Sequence, residues 1–447
     1  MLDGPLVTVI VGPEETGSGT AHAMTGCHFS SDTAQGGAVV EGKRIAGFAE
    51  DTVRVEIPLR DNGRVRSNNA IDTEVLATVA QAVASGKRVV LHAMDTSKLG
   101  SRCPSLDCLR QIQSNWGRSV QVVVDACQMR LSRGRLQYYL AQNFMVLITG
   151  SKFFTGPPLS GALLVPASAS ALMKQIATVP AGLELYSNRT DWPVAWRNIR
   201  SQLPSRPNFG QLLRWVAAVE EMRAYFDVPA SYRFLALHEF SQVIRRLIAE
   251  RPNLQLLSAF ERAAADGLDD EEMSATTIFP FFIFGRGGFL SVEACTQIYW
   301  ALNLDVSNLL PPSANARQRQ VAGTLCHVGQ PVKVSNQACG AAGTLRISAG
   351  ARVVSETWHP HGVAASRHAL AREFDQVRTI LDKIDLLVEN IDALGDIDEI
   401  KRRTLTGEAH SSRLVSRWTT MESIQPHPGH SQTPVQGISS VSGVTHG

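Results

Sequence analysis

The stretches VVVDACQ at residues 122–128 and TGSKFFTGPP at residues 149–158 decide the fold class of this chain. Each lies at the end of a short apolar run, 120–124 and 144–148, and both runs are typical of strands buried in a parallel sheet. A segment with helical spacing near 136–142 separates the two runs. Strand, helix and strand in this order predict a βαβ unit whose two strands end at the same edge of the sheet.

Further elements of the same kinds are predicted on both sides of this unit. The predicted strands lie at 6–11, 53–59, 88–93 and 160–166, and the predicted helices lie at 71–84 and 106–115. Strands that alternate with helices favour a sheet covered on both faces. We therefore predict an α/β fold, a three-layer sandwich with a mainly parallel sheet, in a large domain at residues 1–211.

After residue 211 the pattern changes. Apolar residues at helical spacing predict a long inter-domain helix at 212–240; they are Leu213, Val216, Val219, Met222 and Phe226. Strand-like runs follow at 277–284 and 345–348, and an amphipathic helix is expected at 369–394. A further helix should begin after Ser291, whose side chain can cap it. These elements predict a smaller C-terminal α+β domain at 241–404. Residues 405–447 lack periodicity and are predicted to be disordered.

The bulk composition is that of an ordinary soluble protein, with 447 residues of which 44% are apolar and 19% charged. Lysine plus arginine (43) nearly balances aspartate plus glutamate (41), and no long basic run suggests nucleic acid or an anionic membrane. The seven cysteines are dispersed without C-x-x-C spacing, which favours reduced thiols over disulfides or a metal site. The start has no basic region, and the apolar run 6–11 is too short for a signal peptide or a membrane span. We expect a cytoplasmic protein whose partner is a small molecule or a second copy.

Asp125 and Lys152 place a carboxylate and an amine directly after neighbouring predicted strands. This pair is what pyridoxal phosphate (PLP) requires, an acid for the pyridine nitrogen and a lysine for a Schiff base. The sequence around them resembles fold type I PLP enzymes, and within these the class V aminotransferase branch of cysteine desulfurases and kynureninases. The resemblance is carried by Asp-Ala-x-Gln at 125–128, Thr-Gly-Ser-Lys at 149–152 and the Gly-Pro-Pro turn at 156–158.

The resemblance implies a role for each matching residue. Lys152 would form the Schiff base and then act as general acid and base. Asp125 would pair with the protonated pyridine nitrogen, and Gln128 would bond the ring hydroxyl. Thr149 and Ser151 would donate hydroxyls to the phosphate. The implied function is a PLP-dependent transferase or lyase, a transaminase, lyase or desulfurase, that acts on an amino acid as a homodimer.

Other matches are weaker, and each has an alternative interpretation. Asp95 and Ser97 lie where the family often carries Asn-Glu-x-Gly and could contact the ring hydroxyl or substrate, or could form a solvated turn. Arg346 resembles the small-domain arginine that binds the substrate α-carboxylate; the alternative is a structural ion pair. Cys326 is a candidate desulfurase nucleophile in a strand-like run or else a buried thiol, and His327 is expected to be structural.

The chain also departs from the family pattern. No phosphate-binding Ser/Gly-x-Thr loop can be found before Leu6, so either an N-terminal piece is lacking or phosphate binding is degraded. Glu14-Glu15-Thr16 occupies the place of a Glu-His pair whose histidine stacks on the ring, with His22 as a possible substitute. The alternative function is therefore a degenerate member that serves as a non-catalytic binding or regulatory subunit. A different cofactor is disfavoured because no strand is followed by G-x-G-x-x-G or G-x-x-x-x-G-K-[ST].

Overall fold

The computed structural model describes residues 4–61, 64–257, 268, 271–336, 340–360 and 362–406. Its strands are β1 (Leu6–Val11), β2 (Val53–Ile57), β3 (Arg60–Asp61), β4 (Arg64–Val65), β5 (Arg88–Asp95), β6 (Arg102–Cys103), β7 (Val120–Asp125), β8 (Met145–Thr149), β9 (Gly161–Leu164), β10 (Leu254–Leu256), β11 (Ile278–Gly285), β12 (Gly288–Phe289), β13 (Gly329–Asn336) and β14 (Gly340–Ser348). Its helices are α1 (Thr20–Met24), α2 (Asn68–Ala84), α3 (Leu106–Trp116), α4 (Arg133–Ala141), α5 (Ala167–Met173), α6 (Arg197–Gln202), α7 (Phe209–Phe226), α8 (Ala230–Ala249), α9 (Glu271–Ser274), α10 (Val292–Ala301), α11 (Ala316–Gly323), α12 (Arg352–Ser355), α13 (Val363–Glu389) and α14 (Ile397–Thr406).

The N-terminal half forms one mixed sheet with the strand order β2-β1-β5-β7-β8-β9. The first five of these strands run parallel, whereas β9 pairs antiparallel to β8 and the short β6 antiparallel to β5. The predicted α/β fold class with a mainly parallel sheet is confirmed. The direction of β9 follows from its connection, because the loop 150–160 holds no helix that could carry the chain back for a parallel return.

Helices α2, α3 and α4 pack against this sheet, and each begins at a serine. The side chains of Ser67, Ser105 and Ser132 accept hydrogen bonds from the backbone N–H groups three residues on, at 3.0–3.2 Å. Such caps satisfy donors that the first turn of a helix leaves free. The buried apolar side chains of α2 are Ile71, Val75 and Val79, and they join the core around the buried strands.

The C-terminal part contains a second sheet with the order β10-β11-β14-β13, all antiparallel, with β12 beside β11. The predicted cap of α10 is confirmed, since Ser291 accepts a hydrogen bond from the Ala294 N–H at 3.2 Å. The long helices α8 and α13 pack on this sheet around β11, which buries Phe279 and Phe281. The antiparallel sheet and its helices agree with the predicted α+β character of this region.

The helix predicted at 212–240 is wrong as a single element. Helix α7 ends at Phe226, and α8 begins only after Pro229, which lacks an N–H and so cannot continue the helical hydrogen bonding. The apolar spacing does not mark a buried face of α7, because Leu213 and Val216 are 65% and 51% exposed. The buried residues of α7 are instead Ala218 and Tyr225.

Two further predictions concern the ends of the chain and its thiols. Of the predicted disordered tail, Leu405 and Thr406 belong to α14, and 407–447 lie outside the described residues. The free thiols in the described chain are Cys27, Cys103, Cys108, Cys127, Cys295 and Cys326; Cys339 lies outside it. None of the helices described combines the length and the hydropathy that crossing a membrane requires.

Candidate active site

Four loops bring polar side chains to one edge of the parallel sheet. Thr16 follows β1, Lys98 follows β5, Asp125 ends β7, and Lys152 follows β8. Because these strands are parallel, their carboxyl ends meet on one side, where open α/β sheets bind ligands. The structure thus brings Asp125 and Lys152 to neighbouring strand ends, as the sequence predicts.

Asp125 is held by three groups. Its Oδ2 lies 3.4 Å from His92 Nε2 and accepts a hydrogen bond from Thr16 Oγ1 at 3.2 Å, while Oδ1 accepts one from the backbone N–H of Cys127 at 3.0 Å. Burial raises the pKa of this carboxyl, but the contact with the His92 ring, its charge and the Cys127 bonds outweigh burial and bring the pKa down to about 2. Asp125 is therefore a fixed negative charge at neutral pH.

His92 was missed by the sequence analysis. It lies on β5 and is 1% exposed, and its register partner on β7 is Val123, so His92 and Asp125 are diagonal neighbours on one face of the sheet. The 3.4 Å contact is long, and neither ring nitrogen makes a hydrogen bond of normal geometry within the described chain. The sequence did carry a signal for His92, a histidine inside an otherwise apolar strand. Burying a polar ring without a hydrogen-bond partner costs free energy, so such a residue calls for an explanation.

The Lys152 loop is fixed on both sides of the lysine. The Gly156 N–H donates to the Gly150 carbonyl at 2.9 Å, and the following Phe153 and Phe154 are buried. A Cβ at Gly150 would collide with the methyl of Ala218 on α7, so only glycine lets the loop approach the helix. Lys152 itself is exposed. It lines a cavity of about 460 Å³.

Gln128, Ser151, Lys98, Arg130 and Arg346 line the same cavity as Lys152. The structure therefore brings two predicted cofactor residues, Gln128 and Ser151, and the predicted substrate residue Arg346 to the cavity that Lys152 lines. Thr149 is not among the lining residues: it is buried and its Oγ1 lies 2.8 Å from Ser151 Oγ. Its hydroxyl orients Ser151, so a direct phosphate contact for Thr149 stays a prediction.

Lys98 and Arg130 were not assigned roles by the sequence analysis. Burial lowers the pKa of Lys98, and the positive charges of Arg346 and Lys152 lower it further. Arg130 is buried, donates from Nη1 to the Ala349 carbonyl at 2.8 Å, and lies 5.1 Å from the centre of the Phe153 ring. The cavity is therefore rich in positive charge, which no local motif indicated.

Asp95 does not reach this cavity. Its carboxylate is fully buried in a cluster with Arg102 Nε at 2.9 Å, the Tyr139 hydroxyl at 2.8 Å and Arg135 Nε at 3.9 Å. The prediction that Asp95 contacts the ring hydroxyl or substrate does not fit this placement, and neither does a solvated turn. The carboxylate is already used to neutralise two arginines from elsewhere in the chain.

The Ser97 hydroxyl is likewise buried and already hydrogen-bonded within the protein. Its hydroxyl donates to Glu15 and accepts from the Leu99 and Ser101 N–H groups at 3.1 and 3.0 Å. Glu15 has no side-chain exposure and pairs with Arg60 at 3.3 Å. The predicted cofactor contact of Ser97 therefore does not fit the structure, because this hydroxyl closes the turn after β5.

Arg346 lies on β14 and reaches across to the first sheet. Its Nη1 donates to the Lys98 carbonyl at 2.8 Å, and no carboxylate of the described chain forms an ion pair with it. The alternative of a structural ion pair is therefore wrong. A Cβ on Gly329 would overlap the Arg346 side chain, so a glycine in β13 makes room for this arginine.

The structure also places three minor candidates. Cys326 is buried in an irregular segment before β13 and not in the expected strand, and burial raises its pKa, which disfavours a nucleophile. His327 is exposed and lines the Lys152 cavity, and its ring lies 5.7 Å from that of Tyr299, so its expected structural role stays a prediction. His22 lines neither large cavity; its Nε2 lies 3.9 Å from Glu41, and it does not replace a stacking histidine.

No protein-family model matches the chain, and neither does any curated protein. Several solved structures resemble it. Mouse CSAD is 14% identical, with 84% of this chain and 64% of that chain covered and a TM-score of 0.42. Catharanthus roseus tryptophan decarboxylase in complex with L-tryptophan is 13% identical, with 74% and 58% covered and a TM-score of 0.38. Rhodiola rosea 4-hydroxyphenylacetaldehyde synthase is 12% identical, with 86% and 62% covered and a TM-score of 0.42. The chain spans less than two thirds of each of these proteins.

Proposed function

We propose that this chain is a PLP-dependent enzyme that acts on an amino acid, with Lys152 as the residue that attaches the cofactor. The observation that carries the proposal is the ionised Asp125 and the exposed Lys152 at the ends of adjacent parallel strands. Within PLP enzymes, the sequence motif favours a class V aminotransferase-like transferase or lyase. The names of the three similar proteins give that branch no support, so it rests on the motif alone.

The residues present fit the cofactor. When bound, PLP supplies an electron sink that stabilises negative charge on the substrate α-carbon. Asp125, whose pKa is about 2, would keep a proton on the pyridine nitrogen, because the carboxylate does not take that proton itself near neutral pH. Thr16 and the Cys127 N–H hold the carboxylate in one orientation. Gln128 and Ser151, which line the cavity beside Lys152, are the polar groups for the ring hydroxyl and the phosphate.

The positively charged side chains of the cavity are suited to bind the phosphate. Arg130 and Lys98 line the cavity with Lys152, and a phosphate dianion is the group that such a cluster stabilises most. Arg346 would bind the substrate α-carboxylate, since its Nε and Nη2 make no hydrogen bond within the described chain. We therefore assign phosphate binding to side chains.

Proton transfer at the substrate falls to groups in the same cavity. Lys152 would move a proton at the substrate α-carbon once the substrate amine has displaced it. His327 and Glu373 are the other titratable side chains that line this cavity besides Lys98 and the two arginines. Burial raises the pKa of Glu373, and the charge of Glu356 raises it further.

Cofactor attachment tests the proposal directly. Purified protein should acquire the visible absorption band of bound PLP, and borohydride reduction should fix the label on Lys152 in peptide mapping. Lys152→Ala should lose both, and the control Lys174→Ala, an exposed lysine at the end of α5, should lose neither. A label on Lys98, or an unchanged band in Lys152→Ala, would contradict the assignment.

The resemblance also implies a homodimer, which we propose as the working assembly and which sedimentation velocity would measure. A folded dimer that takes up no PLP would support the alternative of a non-catalytic binding or regulatory subunit.

A further inference from the structure

A second cavity adjoins the Lys152 cavity, and Lys98 and Arg346 line both. Its volume is about 500 Å³. The rest of its lining comes from the loop after β1, from Arg60 and from the 330–335 segment of β13, which includes Lys333. Neither Lys152 nor Asp125 lines it, so its chemistry is separate from that of cofactor attachment.

The charge of this second cavity is strongly positive. Four cationic side chains line it, Arg60, Lys98, Lys333 and Arg346, against one carboxylate in the described chain, Glu14. Glu14 Oε1 accepts a hydrogen bond from the Leu59 N–H at 2.7 Å, and burial raises the pKa of this carboxyl. Glu14 and the buried Glu15, which pairs with Arg60 at 3.3 Å, are two carboxylates against four cations, so the cavity keeps an excess of positive charge.

Several donors of these cations point to no protein acceptor. Arg60 is 9% exposed, and only its Nε is paired, with Glu15 at 3.3 Å; its two terminal nitrogens make no hydrogen bond in the described chain. The ammonium groups of Lys98 and Lys333 have no carboxylate partner within 4.0 Å in the same residues. Burial lowers the pKa of Lys98, and the charge of Arg346, which lines the same cavity, lowers it further. A buried arginine with a free fork is suited to bind a planar anionic group by two hydrogen bonds.

We propose that the second cavity binds an anionic group on the substrate side chain, so that the substrate class is amino acids with a negatively charged side chain, a carboxylate above all. This inference rests on the proposed function and deepens it. Arg346, shared by the two cavities, binds the α-carboxylate, and Arg60 and Lys333 bind the side-chain anion. A neutral side chain leaves Lys333 and Arg346, which have no carboxylate partner among the described residues, without a counter-charge, which disfavours apolar substrates.

Binding of a dicarboxylate without an amine tests the site independently of turnover. Glutarate, titrated calorimetrically into the full chain at low salt, should bind at least about tenfold tighter than butyrate or glutaramide, because each lacks a charged group that the cavity pairs. Arg60→Gln should weaken glutarate binding by about 10–100-fold and Lys333→Gln by about 3–10-fold. The exposed Arg286, on the turn between β11 and β12, provides a matched control, and Arg286→Gln should bind as the wild type does.

Arg60→Gln also breaks the buried pair with Glu15 and can lower stability, so Arg60→Lys and the exposed Lys333→Gln serve as variants that keep the fold. Equal binding of glutarate and butyrate overturns the inference. Unchanged glutarate binding in both Lys333→Gln and Arg60→Lys also overturns it. Arg60→Lys keeps the positive charge but loses the two terminal nitrogens of the guanidinium group.

The same titration in Lys152→Ala separates this inference from the proposed function. Glutarate should bind Lys152→Ala within about threefold of wild type, because Lys152 does not line the second cavity. If the wild type takes up no PLP yet binds glutarate through Arg60 and Lys333, the anion site stands and the proposed function fails. If the wild type takes up PLP on Lys152 but shows no preference for glutarate, the anion site alone fails.

Discussion

Asp95 and Asp125 end neighbouring parallel strands, yet their carboxylates differ in burial and in partners. Asp125 is in register with Met94, one residue before Asp95. The Asp95 side chain has no exposure and is held by Arg102, Arg135 and Tyr139, whereas the Asp125 side chain is 20% exposed and contacts His92. The first carboxylate neutralises the protein's own cations, and the second keeps its charge beside a cavity.

The two aspartates differ because later parts of the chain bring arginine side chains into ion-pair contact with Asp95 but, among the described residues, none with Asp125. After β5 the chain folds back as β6, which delivers Arg102, and α4 brings Arg135 and Tyr139 to the same carboxylate. No arginine of the described chain is in ion-pair contact with Asp125. A carboxylate at a strand end is therefore a better site candidate when no arginine of the protein pairs with it, and the following predictions probe that contrast.

The largest effect is expected for Asp95→Asn. Removing this charge takes the buried carboxylate away from the half-buried Arg102, the buried Arg135 and the Tyr139 hydroxyl, which should lower the free energy of unfolding by about 3–5 kcal/mol. Urea unfolding measures the change. Asp107→Asn, at a carboxylate with 89% side-chain exposure, should change stability by less than about 0.5 kcal/mol. A loss at Asp95 no greater than that at Asp107 would remove the contrast.

Asp125→Asn should cost less stability and more function. The pKa of Asp125 is lowered from 3.8 in the unfolded chain to about 2, so its contribution is present above pH 4 and lost as pH falls toward 2. That contribution is about 2 kcal/mol at neutral pH. Unfolding measured from pH 2 to pH 7 should show a gap between wild type and variant that closes at the acid end. PLP affinity should fall by about 10–100-fold, the loss of one charged hydrogen bond.

His92→Gln should act through Asp125. Without the ring, the pKa of Asp125 rises toward its ordinary value, so the acid dependence of stability shrinks by about 1 kcal/mol. A merely structural histidine would shift the unfolding curves equally at every pH, and that result would contradict the positioning role.

Thr16→Val should give the smallest change. The 3.2 Å hydrogen bond to Asp125 is lost while the shape is kept, and the cost in stability should be about 1 kcal/mol or less. Titration with PLP should show a weaker effect than Asp125→Asn does. An effect equal to that of Asp125→Asn would mean that Thr16, and not the carboxylate, is the principal group.

The strand ends that carry Asp125 and Lys152 were predictable because the information is local. Short β-branched runs, the interval between them and the glycine-proline turn lie within one segment of sequence. The fate of Asp95 was not predictable in this way, since its partners Arg102 and Tyr139 come from later elements. A position directly after a strand predicts at which edge of the sheet a residue lies. It does not predict which side chains from later elements will surround its charge.

Helix α7 shows a second limit of sequence reasoning. Its apolar spacing predicted a helix, but Leu213 and Val216 are exposed, and the side that packs contains Ala218 against Gly150. Where a helix and a loop approach closely, small residues are required at the contact, and a pattern of large apolar residues does not reveal them. For His92 the sequence did contain a signal, a single polar residue within an apolar strand, but no role was predicted from it.

The anchoring of the Lys152 loop has a consequence for local unfolding. Phe153 and Phe154 pack edge-on against Tyr225 at 5.3 and 5.7 Å, within the C-terminal core and not within the core of the parallel sheet. The loop should therefore open together with α7 and α8, and amide hydrogen exchange at Gly156 should follow those helices in rate. A destabilised C-terminal core would expose the lysine loop while the strand that precedes it is still protected.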